Sequence, residues 1–109
     1  MISWADFEKV DIHVGTITAV SDFPNARKPS FQLTINFGEL GIKKSAAQIT
    51  KLYTKEALQG KQVIAVTNFP PKQIANFFSE CLVLGIYNEN NDVVLLQPSM
   101  NVKNGCRIG

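Results

Sequence analysis

The sequence predicts a small all-β domain with little helix, in which five strands close into a barrel. Three observations support this prediction. Apolar and polar residues alternate strictly over residues 31–37, the alternation of the preceding strand breaks at Gly15, and one short helical segment separates the third strand from the fourth. A chain of 109 residues has the size of one domain, so we assign residues 1–109 to a single unit.

The first half of the chain supplies three of the strands. Ser3 can cap a short N-terminal helix, and a long strand follows over residues 10–22. Its apolar positions change phase at Gly15, where a bulge or bend would let one strand pair on both sides of a curled sheet. The alternating residues 31–37 and the returning residues 42–49 form the second and third strands, joined by the turn sequence GELG.

The second half of the chain supplies two further strands and a C-terminal β extension. A short helix that begins at Thr50 or Thr54 and ends at Gly60 precedes the buried-looking strand of residues 61–69. The strand CLVLGIY follows, then the polar turn NENND, its partner VVLLQP and a tail with an Asn-Gly turn. Three strands, a helix and two more strands is the order of an OB-type Greek-key barrel.

The charge pattern permits nucleic-acid binding without demanding it. The formal net charge is only +2, yet five of the 11 basic residues lie within residues 43–61. No acidic residue occurs in residues 42–54. A patch of this kind can attract nucleic acid, but a solvated helix with its flanking strand explains it equally well.

The sequence contains no pattern that indicates catalysis. His13 is the only histidine, and no glycine cluster could cradle a phosphate. Cys81 and Cys106 match no metal or redox spacing, so we interpret them as free thiols, and the sequence alone leaves open whether they meet. We therefore expect a binding protein that is not an enzyme and uses no metal or cofactor.

The targeting signals that would place the protein outside the cytoplasm are not recognisable. The N-terminal sequence MISWADFEKVDIHVG has neither a basic start nor a long apolar run, so we do not interpret it as a signal peptide. No apolar run reaches membrane-spanning length. We expect a cytoplasmic protein without membrane insertion.

Several motifs, in this order along the chain, resemble the tRNA-binding OB-fold family: DIHVGTITAV, FGE, GKQVIAVTNFPPKQIANFFSECLVLG, VVLLQP and NGCRIG. The resemblance covers about residues 7–109. Within that family, the motifs SAAQIT and NFPP are most similar to the CsaA-type chaperones. The resemblance implies a homodimer in which the N-terminal helix and the C-terminal β extension join two barrels, with Trp4 and Phe7 at the interface.

The resemblance also implies a ligand face for peptide or tRNA, formed by the third strand and the segment after the fourth. Basic residues there would contact phosphate, an aromatic ring would stack on a base, and small polar groups would form hydrogen bonds at the rim. The implied ligand-binding residues are Lys43, Lys44, Ser45, Gln48, Asn68, Pro70, Lys72, Ile74, Phe77, Phe78 and Ser79.

Structural alternatives remain open for several of these residues. Phe77 and Phe78 are adjacent, so at most one of them belongs to the core if the segment is extended. Pro70 and Ser79 can simply shape a turn and a strand start. Asn68 can form hydrogen bonds with the loop backbone instead of a ligand.

The chain departs from the tRNA-binding pattern in the segment after the fourth strand. Pro70 stands where the pattern has a basic residue, residues 74–76 replace methionine, arginine and glycine, and residues 81–82 replace glycine and methionine. Charge is lost and apolar surface is gained. This change suits an extended, partly hydrophobic polypeptide better than it suits tRNA.

Three functional hypotheses follow from these observations. The first is a CsaA-like, export-related chaperone for unfolded precursor polypeptides, with the export motor SecA and tRNA as further partners that the resemblance implies. The alternative is a tRNA-binding module that acts alone or in trans with an aminoacyl-tRNA synthetase. The third is an interaction adaptor without a ligand groove.

Overall fold

A computed structural model describes the whole chain, residues 1–109. Its centre is a five-stranded antiparallel sheet with the spatial order β3-β2-β1-β4-β7. These strands are Ile12–Asp22 (β1), Phe31–Asn36 (β2), Ile42–Ala47 (β3), Gln62–Val66 (β4) and Leu82–Val83 (β7). Because β3 and β7 approach each other, the sheet forms a nearly closed barrel, and the predicted fold class is confirmed.

Two short helices accompany the barrel. The helix α1 spans Trp4–Glu8, and α2 spans Lys55–Leu58 between β3 and β4, as predicted. The hydroxyls of Ser3 and Thr54 cap them, each accepting a hydrogen bond of 3.1 Å from the backbone amide three residues later. The connection between β2 and β3 contains one 3-10 turn, Gly38–Leu40. No helix in the structure has the length and apolar character needed to cross a membrane.

The long strand β1 serves both sides of the sheet. The sequence predicted that one strand would serve both sides, and the structure shows its N-terminal half paired with β4 and its C-terminal half paired with β2. A Cβ atom on Gly15 would lie 2.6 Å from Ile35 and 2.7 Å from Phe37, so the glycine is required for close approach to the core. The predicted bulge position was wrong, because the register shifts between Ile17 and Ala19, where β1 has already begun to pair with β2.

The barrel core is built on the inward face of β2 and its continuation. Phe31, Leu33, Ile35 and Phe37 alternate along the chain and are all buried, as their pattern predicts. Leu58 of α2 is fully buried against them and covers one part of the barrel interior. Each of these side chains contributes about 1.5–3 kcal/mol through its removal from water.

The segment predicted as a loop after β4 contains a small β hairpin. Its strands are Lys72–Ile74 (β5) and Phe77–Ser79 (β6), joined by a two-residue turn. Ala75 in this turn has a φ of 54°, a left-handed conformation that matches the twist of a hairpin. The loop prediction was wrong here because three-residue strands leave too short a pattern to recognise.

A second hairpin and a returning tail complete the chain, as expected for a C-terminal β extension. The hairpin pairs Gly85–Tyr87 (β8) with Val93–Leu95 (β9). The tail then returns to β1, where Arg107 bridges to His13. The Nδ1 atom of His13 donates a hydrogen bond to the carbonyl of Gly105 at 2.9 Å, so the only histidine holds the tail on the barrel.

Candidate ligand-binding site

Side chains fix the β5–β6 hairpin beside β3. The hydroxyl of Ser79 accepts a hydrogen bond from the backbone amide of Ala46 at 3.1 Å. The carboxylate of Glu80 accepts one from the amide of Lys44 at 2.9 Å, and the Glu80 amide donates to the Lys44 carbonyl at 2.7 Å. The outer edge of β3 is therefore closed mainly by side chains, and the hairpin has a defined position next to it.

The two adjacent phenylalanines of the hairpin have different surroundings. Phe77 is 9% exposed, and its ring centroid lies 5.3 Å from that of Phe23, in the loop of residues 23–30 after β1. Ile74, the cross-strand partner of Phe77, is half-buried. Phe78 points to the opposite face of the hairpin and is 56% exposed. Phe77 therefore joins the loop to the hairpin, and Phe78 is the ring available to a ligand.

Alternation along β3 separates its predicted site residues into two groups. Lys43 and Ser45 pair with core residues of β2 and face the barrel interior, where Ser45 is 1% exposed and donates a hydrogen bond to the carbonyl of Ala46. Lys44, and Gln48 just beyond the strand, are exposed on the outward side. Only the outward pair is positioned to contact a large ligand.

The Cys81 thiol lies behind this edge and is not poised for chemistry. Burial raises the pKa of Cys81 to about 11, and the positive charge of Lys43 offsets this only in part. The Sγ atom lies 3.9 Å from the carbonyl oxygen of Lys44. Cys106 is exposed, and the two cysteines form no disulfide, as the sequence interpretation expected.

Asn68 connects the end of β4 to the segment between α1 and β1. Its Oδ1 accepts a hydrogen bond from the amide of Asp11 at 3.0 Å, and its Nδ2 donates to the carbonyl of Lys9 at 2.7 Å. The side chain thus has the backbone-bonding role that the sequence left open as an alternative. Pro70 and Lys72, which follow it, are exposed, and Lys72 takes part in no ion pair.

The structure brings only part of the predicted set to the surface around β3 and the hairpin. Lys44, Gln48, Lys72 and Phe78 are exposed there, whereas the predicted set also contains the buried Ser45, described above. The hydroxyl of half-buried Ser79 is occupied by the Ala46 amide. The accessible part of the candidate site is therefore one exposed ring with basic and amide side chains nearby in the fold.

The sequence interpretation placed a loop at residues 23–30 but did not assign it to the ligand-binding site. Arg27 and Lys28 in this loop are exposed and form no ion pair. The contact between Phe23 and Phe77 anchors the loop beside the hairpin. In OB folds, the loops after the first and fourth barrel strands border the ligand face of the second and third strands. The signal was present in the sequence as the pair Arg27-Lys28 between two prolines.

The outer face of β2 is a second feature that the sequence interpretation did not assign to the site. Gln32 and Thr34 point away from the core and pair with Ala46 and Lys44 of β3. This face is polar, so it adds hydrogen-bonding groups next to the exposed cation. The period-2 pattern had already indicated which side chains point outward.

The curated proteins that match this chain are much longer enzymes, and a segment of each is similar to the chain. It is 32% identical over 107 residues to the methionine--tRNA ligase of Thermococcus onnurineus, covering 98% of this chain and 14% of the ligase. The match to the ligase of Nanoarchaeum equitans is 34% identical over 110 residues, again with 14% of the ligase covered. The chain thus spans about 14% of the length of these relatives and corresponds to one small part of each.

Comparison with solved structures finds proteins of the same length and fold. The chaperone CsaA from Bacillus anthracis and the CsaA chaperone protein from Picrophilus torridus each match at 52% identity with a TM-score of 0.95. The alignments cover 100% of this chain and 99% and 100% of theirs. The model of the tRNA binding domain family matches residues 12–107. The chain is therefore a non-catalytic binding module that belongs to the tRNA-binding domain family, within which it resembles the CsaA proteins.

Proposed function

We propose that the chain is a chaperone that binds exposed segments of unfolded or precursor polypeptides at the surface around β3 and the β5–β6 hairpin. The observation that carries this proposal is the Phe78 ring, which is 56% exposed on a hairpin fixed to β3. The similarity to two CsaA chaperones over the full chain supports it.

Further exposed apolar side chains support a polypeptide ligand. Phe69 and Leu82, at the two ends of the segment that holds the hairpin, are 50% and 49% exposed. Large exposed apolar groups on a small protein commonly mark an interaction surface. An aromatic ring presented on a rigid backbone loses little conformational entropy on binding, which makes Phe78 a suitable anchor for the apolar residues of an unfolded chain.

The proposed chaperone is a homodimer. In α1, no residue is buried, and Trp4 and Phe7 are 87% and 39% exposed. The C-terminal hairpin also presents Ile86 and Tyr87, at 53% and 74% exposure. Association of two copies through α1 and the β8–β9 hairpin would cover these groups, in the manner that the family resemblance implies.

Binding of tRNA is the second candidate function. The exposed cations Arg27, Lys28, Lys44 and Lys72 form no ion pair and are therefore free to contact phosphates. Membership of the tRNA-binding domain family supports this candidate. In this function the chain would act alone or in trans with an aminoacyl-tRNA synthetase. Either function is proposed for the cytoplasm, with SecA as a further candidate partner of the chaperone.

A paired titration tests the proposal. The purified protein is titrated with a reduced, unfolded polypeptide and, separately, with bulk tRNA, each over a series of salt concentrations. A chaperone surface predicts polypeptide binding that persists at high salt, because apolar contacts are not screened. Tight, steeply salt-dependent tRNA binding without polypeptide binding would contradict the chaperone proposal and support the second candidate.

A further inference from the structure

A groove of about 350 Å³ lies beyond the C-terminal end of β3. Three segments form its walls: Lys28 and Pro29 of the loop after β1, residues 48–52 after β3, and residues 90–93 at the turn between β8 and β9. We call it the amide groove. It shares only Gln48 with the predicted ligand-binding residues, and it does not include the exposed Phe78 ring.

The amide groove carries hydrogen-bonding side chains that have no partner in the fold. Gln48, Thr50, Asn90 and Asn91 line it, and none of these side chains forms a hydrogen bond within the chain. Each amide side chain can donate and accept at the same time, and a hydroxyl can do the same. The groove therefore offers both donors and acceptors to whatever lies in it.

The turn that presents two of these amides is ordered by its own hydrogen bonds. The Oδ1 atom of Asn88 accepts from the amides of Asn90 at 3.0 Å and Asp92 at 2.9 Å. Asn91 between them has a φ of 63°, in the left-handed region. The amide side chains are thus held on a defined backbone, which lowers the entropic cost of binding.

The amide groove is lined by two lysines and one carboxylate, so its formal net charge is +1. Lys28 is unpaired, whereas Lys51 lies 4.0 Å from the carboxylate of Asp92. No aromatic residue lines the groove, so it offers no stacking platform for a nucleobase. The free amides beside the hydrophobic side chains of Ile49, Leu52 and Val93 favour a partly apolar ligand whose donors and acceptors alternate, which describes an extended polypeptide.

The location of the groove matches a path for an extended chain. The backbone amide of Lys44 donates a hydrogen bond to the Glu80 carboxylate, so the hairpin covers the edge of β3 at this residue. Gln48 lies just beyond β3, and its side chain points to the same outward side as that of Lys44. The groove thus begins where the side chains of the hairpin cease to cover the outer edge of β3. A polypeptide anchored near Phe78 can continue past this edge toward the groove.

We infer that the amide groove binds the main chain of an extended polypeptide segment through Gln48 and Asn91, independently of that segment's side-chain sequence. The inference rests on the proposed chaperone function, to which it adds a mode of recognition. Apolar contacts at Phe78 would select unfolded segments, and hydrogen bonds in the groove would hold any sequence that is extended. A site of this kind suits a chaperone, because its clients share a backbone and not a sequence.

N-methylation of the peptide backbone tests the inference directly. An extended apolar peptide and its analogue N-methylated at alternate residues are titrated against the full chain and against the double variant Gln48→Ala/Asn91→Gly. Glycine readily adopts the φ of Asn91, so this variant keeps the turn. Asn101→Ala, an exposed residue outside the groove, is the matched control.

We expect N-methylation to weaken binding to the natural chain about tenfold, as for the loss of two neutral hydrogen bonds. The double variant should bind the unmodified peptide about tenfold more weakly and should no longer distinguish the two peptides, whereas Asn101→Ala should behave like the natural chain. Equal affinities of all proteins for both peptides would overturn the groove assignment and leave the chaperone proposal intact.

Two further outcomes separate the groove from the proposed function and from other ligands. Absence of any peptide binding by the natural chain would overturn both the chaperone proposal and the inference. The side-chain amide resonances of Gln48 and Asn91 are also followed by NMR during titration with single-stranded oligoribonucleotide. If RNA shifts these resonances and the peptide does not, the groove is a nucleic-acid site and the inference is wrong.

Discussion

The Ser79 hydroxyl accepts a hydrogen bond from the backbone amide of Ala46 at 3.1 Å, so a side chain occupies a position on the β3 edge that a neighbouring strand would otherwise fill. The Glu80 carboxylate does the same for Lys44. The barrel is completed at this point by the segment that carries the candidate ligand-binding hairpin. The stability of the barrel edge and the placement of the binding surface therefore depend on the same contacts.

Replacement of Ser79 by alanine should destabilise the fold. The Ala46 amide is partly buried and would lose its acceptor, which costs about 1–2 kcal/mol of the free energy of unfolding. Urea denaturation measures this change. Ser99→Ala is the control, because Ser99 is exposed and its side chain forms no hydrogen bond. Equal unfolding midpoints for the two variants would show that the Ser79 contact does not stabilise the barrel edge.

Truncation of Phe77 should lower the stability of the fold, whereas truncation of Phe78 should weaken polypeptide binding. Phe77→Ala removes a buried ring that packs on Phe23 and should lower the free energy of unfolding by about 3 kcal/mol or more. Phe78→Ala removes an exposed ring and should leave stability nearly unchanged, but it should weaken polypeptide binding by about 1–3 kcal/mol.

Thermal unfolding and peptide titration on the same samples separate these two effects. The milder Phe77→Leu serves where the alanine variant does not fold. If Phe78→Ala binds the unfolded polypeptide as tightly as the natural chain, the hairpin ring is not the anchor and the proposed surface must be abandoned.

The barrel was predictable from the sequence because long strands carry long patterns. Strict alternation over residues 31–37 identified the core face of β2, and the phase change at Gly15 identified the strand that pairs on both sides. The β5–β6 hairpin was missed because its strands have three residues each, fewer than a pattern needs. Its position depends instead on long-range contacts such as that between Ser79 and Ala46.

The candidate site was only partly predictable because burial depends on the strand register. The resemblance proposed both Ser45 and Lys44, yet β3 turns the first inward and the second outward. The sequence left open which of Phe77 and Phe78 is buried, and the Phe23 contact decides it. The amide groove joins residues that are about 40 positions apart in the chain, Gln48 and Asn91, so no local motif could indicate it.

Lys44 provides a test of tRNA binding that does not depend on the chaperone proposal. It is exposed beside the polar outer face of β2 and forms no ion pair. The plot of log K against log salt has a negative slope for tRNA binding. If Lys44 contacts a phosphate, Lys44→Ala should make this slope shallower by about 1. The control is Lys9→Ala, since Lys9 lies at the end of α1 and pairs with Asp6 at 4.0 Å. An unchanged slope for Lys44→Ala would remove this lysine from the tRNA interface.

Gly15 should tolerate no side chain. A Cβ atom there would lie 2.6 Å from the Ile35 side chain and 2.7 Å from Phe37, so Gly15→Ala should cost about 1–3 kcal/mol through overpacking of the core. Gly109→Ala, where nothing lies within 4 Å of the added atom, should be neutral. Guanidinium denaturation of both variants measures the difference, and a neutral Gly15→Ala would mean that the sheet relaxes around the new methyl group.

The two cysteines should differ sharply in their reactivity. Cys106 is exposed and Cys81 is buried, with its pKa raised to about 11 by burial. Because the thiolate is the reactive form, iodoacetamide at pH 8 should modify Cys106 and leave Cys81 unmodified until the chain unfolds. Mass spectrometry of the digested protein locates the adducts. Modification of Cys81 in the folded protein at a rate similar to that of Cys106 would contradict its burial.

The raised pKa of Cys81 also predicts a loss of stability in alkali. The thiol has an unperturbed pKa of 9.0 and a folded pKa of about 11, so between these values the unfolded chain has lost the proton that the folded chain still binds. Below pH 9 the contribution of Cys81 to the free energy of unfolding does not change with pH. Between pH 9 and pH 11 the free energy of unfolding falls by up to about 1.4 kcal/mol per pH unit. Denaturation of the natural chain and of Cys81→Ala at several pH values isolates this effect from other titrating groups. The natural chain should lose stability more steeply with pH than the variant, and parallel curves would show that Cys81 is solvated in the folded state.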